Sequence, residues 1–401
     1  MKFKEYKGLD LVGIDDSMLE RWKKNSAFEK SLELREGAPE FIFFEGPPSA
    51  NGMPGIHHVM GRSIKDAICR YKTQSGYKVR RRAGWDTHGL PVELGVEKKL
   101  GITKEDIGKK ISVAEYNAVC RKEVMQYTKE WVSLTDRIGY WVDTDDAYIT
   151  YDNRYIETLW YLLKDIYDKG LLYKGFSIQP YSPAAGTGLS SHELNQPGCY
   201  KDVTDTTAAV QFELIKDEKS QKLFGCETLP VYFLAWTTTP WTLPSNTALC
   251  VGPNIDYVRV KSFNPYTGAP AIYVLAKALV GSWFNAKAAE LSLEDYKPGD
   301  KLVPYTVLDG EIKGSELVGI KYHQLIPWFK PEGEGAFKVI PGDYVTVEEG
   351  TTGIVHIAPT FGADDNRVAK AAGVPSIMVR DTNGDLYAQV DRQGRFFRLE
   401  D

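Results

Sequence analysis

Four segments of the 401-residue sequence gather residue types that can do chemistry. The first, Glu45-Gly-Pro-Pro-Ser-Ala-Asn-Gly-Met-Pro-Gly-Ile-His-His58, places three glycines and two histidines after an apolar run and before a stretch of helical periodicity. Where a strand becomes a helix, free backbone N–H groups and the helix dipole attract anions, and glycine lets the backbone approach a ligand closely, so this turn suits a phosphate. A histidine there, His57 or His58, can donate to a phosphate oxygen as charge develops on it. The second segment, Gly84-Trp-Asp-Thr-His-Gly-Leu-Pro-Val-Glu93, offers Asp86 at the end of a strand-like run, where a carboxylate can pair with a substrate ammonium. The third and fourth are Trp236-Thr-Thr-Thr-Pro-Trp-Thr-Leu-Pro-Ser-Asn246 and Gly353-Ile-Val-His-Ile-Ala-Pro-Thr-Phe-Gly-Ala-Asp-Asp365. Threonine hydroxyls can hold a small polar-edged substrate and a water, and a carboxylate can anchor an ammonium, which together suits hydrolysis.

Each segment also admits a plain structural reading. His57 and His58 fit surface histidines at a helix end, Pro47 a turn proline, and Asp86 a helix N-cap. The threonines fit an edge strand, and the histidine of Val-His-Ile fits a satisfied core residue.

The elements that must position these residues follow from periodicity. Residues 41–44, Phe-Ile-Phe-Phe, form a short apolar run bounded by Pro39 and Gly46, which predicts a buried strand. Val59, Met60, Ile64, Ala67, Ile68 and Tyr71 recur at helical spacing up to Gly76, predicting an amphipathic helix over 57–74. A second strand is predicted over 77–83 and a helix opened by Pro91 runs to about Leu100. This strand–helix alternation predicts a parallel sheet. Longer helices are expected over 113–138 and 153–169, the second with Ile156, Leu159, Leu163 and Ile166 on one stripe and Gly170 as its stop. From residue 200 the pattern changes to β-rich pieces, 208–215, 231–236, 257–261 and 272–275, so a second, mostly β domain is expected there.

Composition narrows the classes. With 43% hydrophobic residues the chain can bury large cores, and no apolar stretch approaches the roughly 18 residues of a membrane span. The start, Met1-Lys-Phe-Lys-Glu-Tyr-Lys7, lacks the apolar centre of a secretory signal, so a cytoplasmic protein is expected. Five scattered cysteines, with no Cys-x-x-Cys pair, support neither a disulfide framework nor a zinc ribbon, and reduced, mostly buried thiols are expected. A net charge of −5 gives no global attraction to nucleic acid, which would need local patches such as residues 78–82.

The first segment resembles the HIGH signature of class I aminoacyl-tRNA synthetases, and Gly-Pro-Pro-x-Ala-Asn-Gly is similar to the isoleucine-type lead-in. Where the family has His-Ile-Gly-His, the sequence reads Gly55-Ile56-His57-His58, so only His58 is in register. Gly-Trp-Asp-Thr-His-Gly resembles the block that separates isoleucine enzymes from their leucine and valine relatives. The third and fourth segments together resemble the editing insertion of the same three enzymes.

The resemblance implies an α/β fold: the first half of a Rossmann-type parallel-sheet catalytic domain over 1–199, with an inserted mostly-β editing domain over 200–401. By the same resemblance ATP would be bound by Ser49, Asn51, Gly52, Gly55 and His58, with His58 in the catalytic role, and the amino acid by Pro47 and Asp86; His57, out of register, would supply the missing imidazole from the neighbouring position. Thr237, Thr238, Thr239 and Asn246 would line the editing pocket, His356 would contact its substrate and Asp365 would bind the substrate amino group. ATP as substrate, magnesium on its phosphates, isoleucine and tRNA(Ile) are the implied ligands, for a monomer. Ser182 and Ala185 stand where many relatives carry zinc-binding cysteines, so no zinc is expected. The second ATP signature, Lys-Met-Ser-Lys-Ser, is absent from the sequence, which makes the chain an expected fragment, incapable of full aminoacylation. Two other functions compete: a deacylase acting alone on mischarged tRNA, and a non-catalytic RNA-binding module.

Overall fold

The computed structural model describes residues 8–397, so the start read above for a secretory signal lies outside them. The chain divides into two compact units, Met1–Lys174 and Gly175–Asp401.

In the first unit, helices α1 (Leu11–Asn25) and α2 (Ala27–Glu33) precede a three-stranded parallel sheet of β1 (Glu40–Phe44), β2 (Lys78–Trp85) and β3 (Asp143–Ile149), in that spatial order. Helix α3 (Ile56–Gln74) crosses from β1 to β2, and α4 (Leu90–Leu100), α5 (Val113–Glu123) and α6 (Thr128–Arg137) lie between β2 and β3. The helix expected over 113–138 is two helices. At the break, the Tyr127 N–H donates to the carbonyl of Ala50 at 2.9 Å, a bond to the glycine loop that a continuous helix would forgo.

Helix α3 is oriented differently from its apolar pattern. Met60, Ile64, Ile68 and Tyr71 are all more than half exposed, while Arg62, Cys69 and Thr73 are buried. The inward face is polar because it meets polar partners: Arg81 donates to Asp66 at 2.8 Å and to Thr73 at 3.3 Å, and Arg62 bonds Thr135. Ile42 and Phe44 of the edge strand β1 are likewise exposed. Helix α7 (Asn153–Asp168) buries no residue, and its stripe, Leu159, Leu163 and Ile166, is exposed. Strand β3 escapes the sequence pattern because Asp143, Asp145 and Asp146 interrupt it; acidic residues of this kind suit a sheet edge.

The second unit opens with the hairpin β4 (Tyr181–Ser182) and β5 (Thr187–Gly188). Its turn is closed by Ser182, whose hydroxyl accepts the Ala185 N–H at 3.2 Å. The main sheet holds β6 (Ala208–Glu213), β7 (Val231–Thr237), β8 (Ala248–Val251), β9 (Asp256–Phe263), β10 (Pro270–Ala276), β11 (Thr306–Lys313), β12 (Lys338–Pro341) and β13 (Ile354–Ile357). Its order is β11-β9-β10-β7-β13-β8-β12, with β6 also paired to β7. Four of its pairs are antiparallel, while β7 runs parallel to both β10 and β13, and β12 parallel to β8. Strand β7, Val-Tyr-Phe-Leu-Ala-Trp-Thr, is buried along nearly its whole length, which is why it reads as a continuous apolar run rather than an alternation.

Phe212, Phe233, Leu249, Ile272, Leu317, Ile320 and Tyr322 form the centre of the larger core, each contributing on the order of 1.5–3 kcal/mol by burial. The Tyr257 hydroxyl crosses it, donating to the Gly353 carbonyl at 2.6 Å and accepting the Gly252 N–H at 3.1 Å. Gly353, at φ 73°, has no room for a side chain: a Cβ there would lie 2.4 Å from that of Ala276. Helix α8 (Ser191–Leu194), α9 (Gln221–Phe224), α10 (Val280–Trp283) and α11 (Gly314–Leu317) are single turns, and α12 (Ala363–Ala371) follows β13. All five cysteines are free thiols; Cys69 and Cys250 are buried, but Cys199 and Cys226 are exposed, on loops the apolar pattern does not reach.

Candidate functional site

In the first unit, the loop of residues 45–55 leaves the carboxyl end of β1, and Asp86 follows the carboxyl end of the neighbouring β2. The two are joined by backbone: the Asp86 N–H donates to the Pro48 carbonyl at 3.0 Å, and the Glu45 N–H to that of Arg82 at 3.0 Å. Parallel strands ending side by side create the crevice in which α/β sheets bind ligands. Pro47, Ser49, Asn51 and Gly52 are partly buried along this loop, and the Ser49 hydroxyl is buried without a hydrogen-bond partner. The loop is braced from α6, where the Trp131 indole N–H donates to the Gly52 carbonyl at 2.9 Å. It is braced again from β3, where the Tyr148 hydroxyl donates to the Glu45 carbonyl at 2.7 Å. Gly84 makes the second brace feasible, since a Cβ there would lie 2.3 Å from the Tyr148 ring.

Asp86 caps no helix. Its carboxylate accepts the His88 N–H at 3.2 Å, while α4 begins at Leu90 after Gly89. Thr150 holds the same segment, accepting the Thr87 N–H at 3.0 Å and lying 3.0 Å from His88 Nδ1. His58 Nδ1 accepts the Gly55 N–H at 2.9 Å, which leaves the proton of the neutral imidazole on Nε2. Burial, and then the neighbouring His57, hold His58 below the ordinary imidazole value, so the neutral donor form prevails near pH 7. The His57 and His58 rings lie 3.8 Å apart by centroid. A Cβ on Gly55 would meet the His57 ring at 2.8 Å, so the His57 imidazole occupies the space a side chain at 55 would take.

The basic run of residues 78–82 is not a free patch. Lys78, Arg80, Arg81 and Arg82 pair with Glu36, Glu40, Asp66 and Asp146. The alternation of β2 sends these side chains to neighbours in the turn after α2 and on α3, β1 and β3, which neutralise them one by one.

In the second unit, β7 and β13 are parallel neighbours, so the threonine-rich segment after β7 and the residues 358–365 after β13 leave the same sheet edge. Thr237 is buried, Thr239 partly so and Thr238 exposed. The Thr239 N–H donates to the Thr237 hydroxyl at 3.0 Å. His356 is buried, with Nε2 2.9 Å from the Thr242 hydroxyl and Nδ1 3.2 Å from the Asn246 amide nitrogen. Asn246 is also buried and turned inward, bonded to Ala248 and to the Tyr322 hydroxyl. Thr242 and Tyr322 are the residues sequence reading passes over: the first lies inside a motif already noted, the second carries no local signal. Asp365 lies in the first turn of α12, where its carboxylate accepts the Ala358 N–H at 2.8 Å. Burial raises its pKa to about 6, against the lowering effect of that N–H. Gly362 leaves room for it, since a Cβ there would stand 2.7 Å from the Asp365 carboxyl carbon.

Among the described residues, no group of three or more His, Cys, Asp or Glu could hold a metal ion, and no helix is long and apolar enough to cross a membrane.

The chain is 66% identical over 400 residues to the isoleucine--tRNA ligase of Bacteroides fragilis, covering all of this chain and 34% of that protein. It is 63% identical over 401 residues to the isoleucine--tRNA ligase of Porphyromonas gingivalis, covering 100% of this chain and 35% of that protein. The chain thus spans about a third of the length of the curated relatives it matches. Among solved structures, the P. knowlesi cytosolic leucyl-tRNA synthetase editing domain matches 40% of this chain and 60% of its own at TM-score 0.30 and 15% identity, a likeness too slight to argue from. The family described as tRNA synthetases class I (I, L, M and V) matches residues 17–355, with both candidate loops of the first unit inside the match, and the chain belongs to that family.

Proposed function

We propose that the chain carries the first half of the amino-acid activation site of an isoleucine-tRNA ligase, and a second site that hydrolyses valine misattached to tRNA(Ile), in a monomeric cytoplasmic protein. The observation that carries the reading is the bond between Asp86 N–H and the Pro48 carbonyl, which sets a carboxylate beside a glycine-rich loop at one sheet edge. Asp86 pairs with the isoleucine ammonium and Pro47 borders its side chain. The free isoleucine carboxylate then attacks the α-phosphate of ATP, forming isoleucyl-adenylate as the bond to pyrophosphate breaks. Ser49, Asn51, Gly52 and Gly55 border the nucleotide, and His58 donates its Nε2–H to phosphate as charge builds, with the His57 imidazole beside it. Magnesium enters on the phosphates, as part of the substrate. The acyl group then passes to a ribose hydroxyl of the terminal adenosine of the tRNA, as the acyl–phosphate bond breaks and AMP leaves.

A second site is needed because one methylene is worth only about 1–3 kcal/mol of discrimination, a limit for which the isoleucine enzyme is itself the stock illustration. Valine enters the smaller site, bounded by Thr237, Thr238 and Thr239 with His356 and Asn246 behind them, and Asp365 anchors its ammonium.

In the complete ligase carrying this segment, Asp86→Ala is expected to lower isoleucine-dependent ATP–pyrophosphate exchange by at least about 30-fold, the loss of a desolvated charge pair. Exchange within twofold of wild type would end this reading. Hydrolysis of valyl-tRNA without any nucleotide binding would favour a deacylase instead, and tRNA affinity with neither activity an RNA-binding module.

A further inference from the structure

The buried chain behind the threonine-rich segment assigns every hydrogen it contains. Asn246 Nδ2 lies 2.9 Å from the Ala248 carbonyl and 3.4 Å from that of Ile357, so that side of the amide must be its N–H₂. The opposite side is therefore Oδ1, which can only accept, and the Tyr322 hydroxyl donates to it at 2.7 Å. The second amide hydrogen faces His356 Nδ1 at 3.2 Å, so Nδ1 must be the bare acceptor nitrogen. His356 then carries its proton on Nε2 and donates it to the Thr242 hydroxyl at 2.9 Å, while Thr242 passes its own hydrogen to the Thr239 carbonyl at 2.8 Å. Two backbone carbonyls thus fix the sense of the whole chain, from Tyr322 to Thr239. Reversing any one member would set two lone pairs, or two hydrogens, against each other in a buried site.

We propose that Asn246 is a positioning residue, not a wall of the pocket: its amide seals His356 Nδ1 and holds the imidazole as a donor towards Thr242, so His356 orients the threonine-rich segment and is not the base of hydrolysis. The functional half of this inference rests on the editing role proposed above; the tautomer does not.

The 401-residue chain labelled with 15N-histidine contains six imidazoles, and the His356 signal is the one lost in His356→Gln. At neutral pH the wild-type signal is expected to show Nε2 protonated and Nδ1 bare. In Asn246→Ala, which leaves Nδ1 without a donor, mixed tautomers are expected, with kcat for valyl-tRNA hydrolysis at least tenfold lower and KM within about twofold. Tyr322→Phe keeps the amide nitrogen against Ala248 and is expected to retain the wild-type tautomer. A wild-type His356 protonated on Nδ1 overturns the inference even if neither variant folds. So does a folded Asn246→Ala that keeps the Nε2–H form alone, or one with mixed tautomers and unchanged kcat. A complete wild-type ligase carrying this segment that hydrolyses no valyl-tRNA defeats the editing role, while the nitrogen spectra still decide whether Asn246 sets the tautomer.

Discussion

Acid should attack the second unit first at His356. The imidazole is buried, its Nδ1 faces the hydrogens of the Asn246 amide, and no carboxylate among the described residues is bonded to it, so a second proton has nowhere favourable to sit. Burial accordingly drives its pKa from the ordinary 6.5 to about 4. The unfolded chain takes up that proton near 6.5 and the folded chain only near 4, so stability is fully present above 6.5 and falls as the pH drops through this window. Each pH decade is worth about 1.4 kcal/mol, which makes the total loss about 3 kcal/mol, and somewhat over 2 by pH 4.5. The assay is urea unfolding followed by tryptophan fluorescence at pH 7.5 and 4.5, for wild type and for His356→Gln, which keeps a donor and an acceptor but does not titrate. The carboxylates titrate alike in both proteins and cancel in the difference. Wild type should lose about 2–3 kcal/mol more than the variant over that interval. Equal losses would show that His356 is hydrated or paired in the folded protein, and the buried chain of hydrogen bonds would have to be redrawn.

Three further outcomes are expected. Gly84→Ala forces a methyl group against the Tyr148 ring, 2.3 Å from the built Cβ, and should destabilise the first unit by about 1–3 kcal/mol in thermal unfolding. Trp131→Phe keeps the ring packing but deletes the bond to the Gly52 carbonyl; a loss of about 1 kcal/mol should weaken ATP binding roughly fivefold by calorimetry, and unchanged affinity would detach Trp131 from the loop's function. Hydrolysis of valyl-tRNA should rise with pH through about 6 as Asp365 ionises to hold the substrate ammonium, and Asp365→Asn should flatten that rise; a wild-type profile flat between pH 5 and 7 would remove the carboxylate from this role.

Much of the first unit is legible because its signals are local. The apolar run at 41–44, the glycines that follow and the helical period over 57–74 lie within about thirty residues, and the strand, loop and helix they predict are those observed. What escaped depends on partners far along the chain. The polar face of α3 is buried because Arg81 awaits it, and the helix predicted over 113–138 breaks because Tyr127 bonds Ala50; neither partner is marked by periodicity. The acidic strand β3 carries no apolar alternation to announce it. In the second unit the β-rich pieces can be read singly, but their order cannot, since pairings such as β7 with β13 join segments more than a hundred residues apart. The same holds for the contact of His356 with Thr242, 114 residues away, which turns two unremarkable motifs into one buried chain.

The parallel pairing of β7 and β13 has a practical consequence for engineering. Both candidate segments hang from the ends of strands whose interiors are locked in the sheet, so the scaffold and the groups it displays can be altered independently. Replacing Thr238, which projects outward, should retune which acyl groups are accepted while leaving the melting temperature where it was. Replacing Phe233, which lies in the middle of β7 and is fully enclosed, should do the reverse.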